Sequence, residues 1–418
     1  MIDRLEDITI EHLYLDALPD ELSHLAANDL LQVIYDYKSD MTVKEILYKY
    51  SIDIKPSKFK KSLPLILNGV CEFCEGKIGV ELGSKTSQNS LFDEQSSQCI
   101  NCGHKPLSYR CNCKSCLLLE EEQRIDAEAK KAKIVEMKMG IIQSQYNFEN
   151  FEYIDENDLD FKDKVFLSVI LRSCLSEDGK YIKPIQSSVE PISSSHDLTT
   201  KIIRSLTSKE IIVPSVQSKI EAFSFDESNE SAGYYIYLVK YLLNIRVTDK
   251  YSLLVERLLY LDVDIHQHLD EFLEIWKDLA FHEVMSYYLN QMAEVGYEPS
   301  IGEITKTTFQ KLLETFSVGE IFYIIYRTIP LSTRDYQAGK KSKKHAMNWV
   351  VTECRNYGEK ILANNWNRTT FHRIKQLPES ELSHLLFTSL LKKPNQGFYN
   401  APTIENLKKL INEEESLH

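Results

Sequence analysis

The chain has 418 residues, 43% of them apolar, and a formal charge of −13 from 49 basic and 62 acidic side chains. The apolar share is enough for buried cores and excludes wholesale disorder, and at ~150 residues per domain the length allows two to four domains. The acidic balance excludes a surface that coats nucleic acid throughout but leaves room for local basic patches.

The opening MIDRLEDITI carries acids where a secretion signal needs cations followed by an apolar run. No run of ~18 apolar residues occurs, because Lys240 breaks the best candidate, Tyr234 to Ile245. A cytoplasmic chain without membrane contact is therefore expected. Residues 1–40 hold ten acids against two bases, which reads as a solvated acidic face, with an amphipathic helix over Asn28–Tyr37. Residues 41–70 invert the charge, six lysines against two acids. This window suggests a helix-turn-helix. Thr42 is placed as an N-cap before VKEILYKY, and SIDIKPS forms a turn leading into a second helix, SKFKKSL. That turn is longer than in a compact helix-turn-helix. Phe59 and Leu63 are expected to face inward, and Lys58, Lys60 and Lys61 mostly outward.

Seven of the nine cysteines fall between residues 71 and 116. A reducing compartment disfavours disulfides, so the clustering points to metal. Cys71 and Cys74 form CEFC, Cys99 and Cys102 form CINC, and 24 residues separate the pairs. A two-residue spacer lets both thiolates reach one tetrahedral ion, and two such knuckles joined by a hairpin resemble a zinc ribbon. His104, Cys111, Cys113 and Cys116 follow at once, completing the eight ligands that two four-coordinate ions need. One zinc is expected and a second is possible. Spacing allows the pairs to be assigned to ions sequentially or in the alternating, cross-braced manner of RING-type domains, and an iron–sulfur cluster is a minor alternative. Four ligands per ion leave no open position, so the metal is structural. The Ser/Gln-rich insert from Ser84 to Gln98 reads as a mobile loop.

Leu117 to Gly140 lacks proline and spaces opposite charges four apart, Glu120 with Arg124 and Asp126 with Lys130, which predicts an exposed connecting helix. Residues 160–245 suggest a winged helix, with helices in FKDKVFLSVILRSCL and SSSHDLTTKIIRSL and β-segments in EIIVPS, KIEAFSF and YYIYLVKYLL. Ser194 with Asp197 fits a capping box. The presumed recognition helix holds only Lys201 and Arg204, which favours a structural or dimerising role. From Val263 the pattern is helical, with HLDEFLEIWKDLAFHEVMSYYLNQMAEV, FSVGEIFYIIYRTI, SKKHAMNWVVTECRNYGEKIL, ESELSHLLFTSLL and TIENLKKLI carrying apolar residues at helical spacing. Ser317 with Glu320 and Ser332 with Asp335 fit capping boxes, and Cys174 and Cys354 read as core residues.

No catalytic motif emerges. Gly339-Lys340 lacks the rest of a P-loop, His282 lacks the second histidine of HExxH, and Ser195, His196 and Asp197 are consecutive and read as a helix start. Three patches oppose the negative whole. Lys55, Lys58, Lys60 and Lys61 lie without an intervening acid, Lys105, Arg110 and Lys114 border the last cysteines, and Arg334, Lys340, Lys341, Lys343 and Lys344 surround Asp335 alone. The first two are expected to form a phosphate-contacting face, with Lys55, Lys58, Lys60, Lys61, Lys105 and Arg110 as nucleic-acid contacts.

The motifs between residues 41 and 116 resemble a group of uncharacterised bacterial proteins that place a helix-turn-helix and cysteine-rich knuckles ahead of a long helical region. The resemblance implies DNA association and zinc. The expected architecture is mainly α and multidomain: a helix-turn-helix-like segment at 1–68, a zinc-ribbon-like module at 69–117, a connecting helix at 118–140, a winged-helix-like domain at 141–262 and an irregular α-helical domain at 263–418. The expected function is that of a zinc-stabilised DNA-binding protein, a regulator or recruitment factor, that pairs with itself or a protein partner through its middle and C-terminal regions. The alternative is a zinc-containing protein–protein adaptor.

Overall fold

The computed structural model describes residues 2–85, 90–108, 110–226, 228 and 230–415. The chain is mainly helical and divides into two compact units, Met1–Val135 and Glu136–His418.

In the first unit three helices, α1 (Ala27–Lys38), α2 (Val43–Lys49) and α3 (Phe59–Ser62), share one apolar core with an antiparallel sheet. The sheet orders β1 (Leu13–Tyr14), β2 (Leu65–Val70), β3 (Lys77–Leu82) and β4 (Phe92–Cys99) as neighbours in sequence order. Its register pairs Leu13 with Ile66, Ile66 with Val80, and Ile78 with Cys99. The N-terminal segment is therefore no solvated arm. Ile8, Leu13 and Leu22 enter the core while the acids between them face water.

Thr42 caps α2 through a reciprocal pair of bonds with Glu45, as its sequence suggests. The second helix of the expected helix-turn-helix is one turn long, not the stretch 57–63. Pro64 follows Leu63 and forces it out of helical geometry, to φ −66° and ψ 147°. The expected mobile loop at Ser84–Gln98 is replaced in its second half by β4, whose polar residues hide its strand character. Ser96 Oγ accepts the Glu81 amide at 2.8 Å where β3 and β4 slip register. Residues 86–89 of that insert lie outside the described residues.

The helix α4 (Lys114–Tyr146) contains the expected connecting helix, and the division between the units falls inside it. Every residue from 117 to 137 is exposed. Arg124 pairs with Glu121, one turn back, and not with Glu120.

In the second unit, α5 (Phe161–Cys174) and α6 (His196–Ser208) pack beside short strands. Here β5 (Ile212–Pro214) pairs with β8 (Tyr241–Leu243), and β6 (Phe223–Phe225) forms a hairpin with β7 (Ala232–Tyr234). Ile182 bridges to Tyr241 on the other side of β8. The cap of α6 is Ser195, whose Oγ accepts the Leu198 amide, and not Ser194. The remainder is helical: α7 (Tyr251–Leu259), α8 (Leu269–Glu294), α9 (Glu303–Leu313), α10 (Val318–Gln337), α11 (Lys343–Ala363), α12 (Glu381–Ser383) running into a π-helical turn at His384–Leu390, α13 (Gln396–Tyr399) and α14 (Ile404–Glu415). Ser317 and Glu320 form the expected capping box of α10, but Ser332 lies inside that helix and donates to the Ala346 carbonyl. The core gathers Trp276, Tyr287, Tyr288, Phe309, Phe322 and Phe387, with the Trp276 indole donating to the Gly397 carbonyl. Cys174 and Cys354 are buried there, as expected. Among the described residues no helix is long and apolar enough to cross a membrane.

The tie between α1 and α2 is polar. Asp36, 8% exposed, accepts from Lys49 Nζ at 2.8 Å, Tyr50 Oη at 2.8 Å and Gln32 Nε2 at 3.3 Å. Burial by itself raises its pKa, but these hydrogen bonds outweigh it and hold the carboxyl below its ordinary value. A depressed carboxyl stabilises the fold at neutral pH, and that contribution disappears as pH falls through the folded-state value, below ~pH 4. Asp36→Ala is expected to lower the stability of the first unit by about 1–3 kcal/mol, measured by thermal unfolding, and to blunt its loss of stability in that acid range.

Candidate metal centre

Two groups of four side chains converge in the first unit. One is Cys71, Cys74, Cys99 and Cys102; the other is His104, Cys111, Cys113 and Cys116, and within each group all ligand atoms lie within 4.8 Å of one another. The chain fills the groups one after the other, which settles the order left open by spacing: the arrangement is sequential and not cross-braced.

Local backbone explains the first group. β2 delivers Cys71, and the Glu75 amide donates back to the Cys71 carbonyl at 3.0 Å to close the first knuckle. β4 delivers Cys99, and the Gly103 amide closes the second knuckle on the Cys99 carbonyl, also at 3.0 Å. Each turn ends in the left-handed region, Glu75 at φ 56° and Gly103 at φ 72°. Opposite sulfurs stand 3.6 Å (Cys71 to Cys102) and 3.4 Å (Cys74 to Cys99) apart. These separations are far beyond a disulfide and close to the ~3.8 Å edge of a tetrahedron of thiolates bonded at ~2.3 Å. Gly76 lies against the group: a Cβ there would sit 3.1 Å from Cys99 Sγ, 3.2 Å from Cys74 Sγ and 2.8 Å from Asn101 Cβ.

The second group joins the loop after β4 to the start of α4. Cys116 lies in the first turn of the helix, and its amide donates to the Cys113 sulfur at 3.4 Å, so a thiol serves where an N-cap oxygen usually stands. The Lys105 amide donates to Cys111 at 3.2 Å. His104 turns Nδ1 toward the sulfurs of Cys111, Cys113 and Cys116, at 3.5, 3.7 and 3.2 Å.

Ionisation follows from crowding. The Gly76 amide, helped by the Cys102 thiol, holds Cys74 down to about 7. The amides of Lys105 and Cys113 hold Cys111 down to about 6. The His104 amide favours the Cys102 thiolate, but burial and the three neighbouring sulfurs prevail and push it up to about 12. Burial, then Cys113 and Cys111, push Cys116 to about 12. Cys74 and Cys111 thus lose their protons more readily than an ordinary thiol and Cys102 and Cys116 less readily, and a bound cation would favour the thiolate form. The soft, closed donor sets fit a metal ion.

The other expected contacts are less uniform. Lys55, Lys58, Lys61, Lys105 and Arg110 are exposed and have no ion-pair partner among the described residues. Lys60 instead turns to Asp93 at 3.1 Å and Glu81 at 3.8 Å, tying α3 to the sheet. In the C-terminal patch Asp335 takes Lys341 at 3.0 Å and Lys340 at 3.9 Å, and the Lys341 ammonium sits 3.4 Å from the centre of the Trp349 ring. Gly76 and Glu72 are not among the residues that the sequence motifs single out; a glycine two residues beyond the second cysteine of CEFC is the available signal for Gly76. No family model, curated protein or solved structure matches the chain.

Gly76→Ala is expected to lower the metal content by at least one ion per chain, because the added methyl meets two sulfurs of the first group. Elemental analysis of the purified variant checks this. Chelation of the wild type is expected to expose residues 93–116 to limited proteolysis and to leave the second unit intact.

Proposed function

We propose that this chain is a zinc-stabilised DNA-binding protein that contacts the phosphate backbone through its first unit and serves as a regulator or DNA-associated recruitment factor. Zinc suits both groups, since seven thiols and one imidazole are borderline-soft donors and four per ion leaves no position for a substrate. The observation that carries DNA binding is the set of exposed, unpaired cations, Lys55, Lys58, Lys61, Lys105 and Arg110, in the unit that holds the metal groups. Lys60 drops out of the contact set because Asp93 and Glu81 engage it, and it acts as an anchor instead.

Phosphate contact is favoured over base reading. A recognition helix must lie along the major groove, and α3 has a single turn. Binding with little sequence preference suits a recruitment factor better than an operator-reading repressor. We read 141–262 as a winged helix on its order of elements, with Ile182, β8 and β5 as a small sheet and the β6–β7 hairpin within the wing. Lys201 of α6 is engaged by Asp278, and Lys209 by Asp160 and Asp163. These commitments support a role in pairing proteins.

The adaptor reading has its own support. Phe73, Leu107, Leu117, Leu118 and Leu119 are exposed next to the metal ligands, an apolar set suited to a protein partner. Fluorescence anisotropy of labelled duplex DNA across a salt series separates the two. Binding is expected to weaken steeply with salt, and the Lys55, Lys58 and Lys61 triple alanine variant is expected to reduce the slope of log K against log salt by about one per lysine. Binding unchanged in that variant would overturn the assigned surface. No binding at low salt would move the reading to the adaptor.

A further inference from the structure

The imidazole of His104 is buried, and its two nitrogens have different surroundings. Nδ1 faces three sulfurs and is the ligand atom. Nε2 then carries the ring proton, and it is buried without a hydrogen-bond partner. A buried N–H left unsatisfied costs stability, so its surroundings should hold an acceptor. The Glu72 carboxylate is 3.5 Å away, a shift of about half an ångström from hydrogen-bond distance.

Glu72 belongs to the other metal group's knuckle, between Cys71 and Cys74. Its neighbour Phe73 packs its ring edge-on against the His104 ring, with centroids 4.7 Å apart. Two backbone links run the same way. The Cys99 amide donates to the His104 carbonyl at 2.6 Å, and the His104 amide donates to the Cys102 sulfur. Beyond its own three sulfurs, the histidine of the second group is thus met by Glu72, Phe73, Cys99 and Cys102, all in the two knuckles of the first group. The pairing of β2 and β4 with β3 brings these segments near one another, and an ion in the first group would add the link that fixes the two knuckles, and with them the ring, in one orientation.

We propose that the two sites load cooperatively and in order, the Cys71, Cys74, Cys99, Cys102 site first, and that Glu72 is the positioning residue that couples them by accepting a hydrogen bond from His104 Nε2–H. This rests on the metal reading above. Carboxylate–histidine–metal triads fix the tautomer and ring orientation, and losing the outer partner typically lowers metal affinity 10–100-fold. Coupling between binding sites is reciprocal, so an ion in the second site also tightens the first by the same factor.

Stepwise titration of the metal-free full-length chain with Co2+ tests this, since four-thiolate and three-thiolate-one-imidazole sites differ in their d–d absorption. In the wild type the four-thiolate spectrum is expected to develop first or together with the other. Glu72→Ala is expected to weaken the second site 10–100-fold and to leave the four-thiolate spectrum in place, which shows that the variant folds. Glu72→Gln retains an acceptor and is expected to recover most of the loss. Cys71→Ser with Cys74→Ser is expected to weaken the second site as well. A second site that fills first, or that keeps its affinity in Glu72→Ala, would overturn the coupling. A wild-type chain that takes cobalt into neither thiolate site would overturn the metal reading itself.

Discussion

Six of the eight ligand residues lie on a stretch of chain that contributes nothing to a hydrophobic core. The apolar cluster of the first unit draws on Ile8 through Leu82, with Leu91 and Phe92 at its margin; no residue from 93 to 135 joins it among the described residues. The end of β4, both knuckles, the loop to Cys111 and the start of α4 must therefore be ordered by something other than apolar burial. Metal coordination is the available term. Structural zinc contributes about 10–16 kcal/mol in small fingers, comparable with the whole stability of a domain. The same argument makes the metal groups a determinant of where α4 begins, because Cys113 and Cys116 bracket its first turn.

Two kinds of polar fastening supplement this. Asp36 joins α1 to α2 through three donors, and Lys60 joins α3 to β3 and β4. Both are cases in which a charge that looks available in the sequence is used internally. The lysines that remain free, Lys55, Lys58 and Lys61, gain significance by contrast, since a fixed Lys60 beside them limits how the segment can move.

Part of this was legible in the sequence. CxxC spacing reports chelate geometry directly, so Cys71, Cys74, Cys99 and Cys102 could be named from it and the other four from their place just after, whereas the division between two ions depended on which strand ends meet in space. Long amphipathic helices such as α8 and α11 follow from periodicity. α9 was overlooked, because its threonines at 305, 307 and 308 weaken the helical signal. β4 was hidden by Ser96, Ser97 and their polar neighbours. These hydroxyls satisfy local backbone groups, a role that composition renders as loop. The second helix of the basic window was overextended because Pro64 acts on the residue before it. Glu72 carries no sequence signal at all; its role exists only once the knuckle places it beside His104.

Two ions with different ligand sets are expected to organise the first unit. X-ray absorption at the zinc edge, with native mass spectrometry on the same sample, tests this most directly. The account expects two zinc ions per chain and an averaged shell of seven sulfurs to one nitrogen, the sum of the two groups. A single ion, an iron signal, or a shell dominated by oxygen and nitrogen would contradict it.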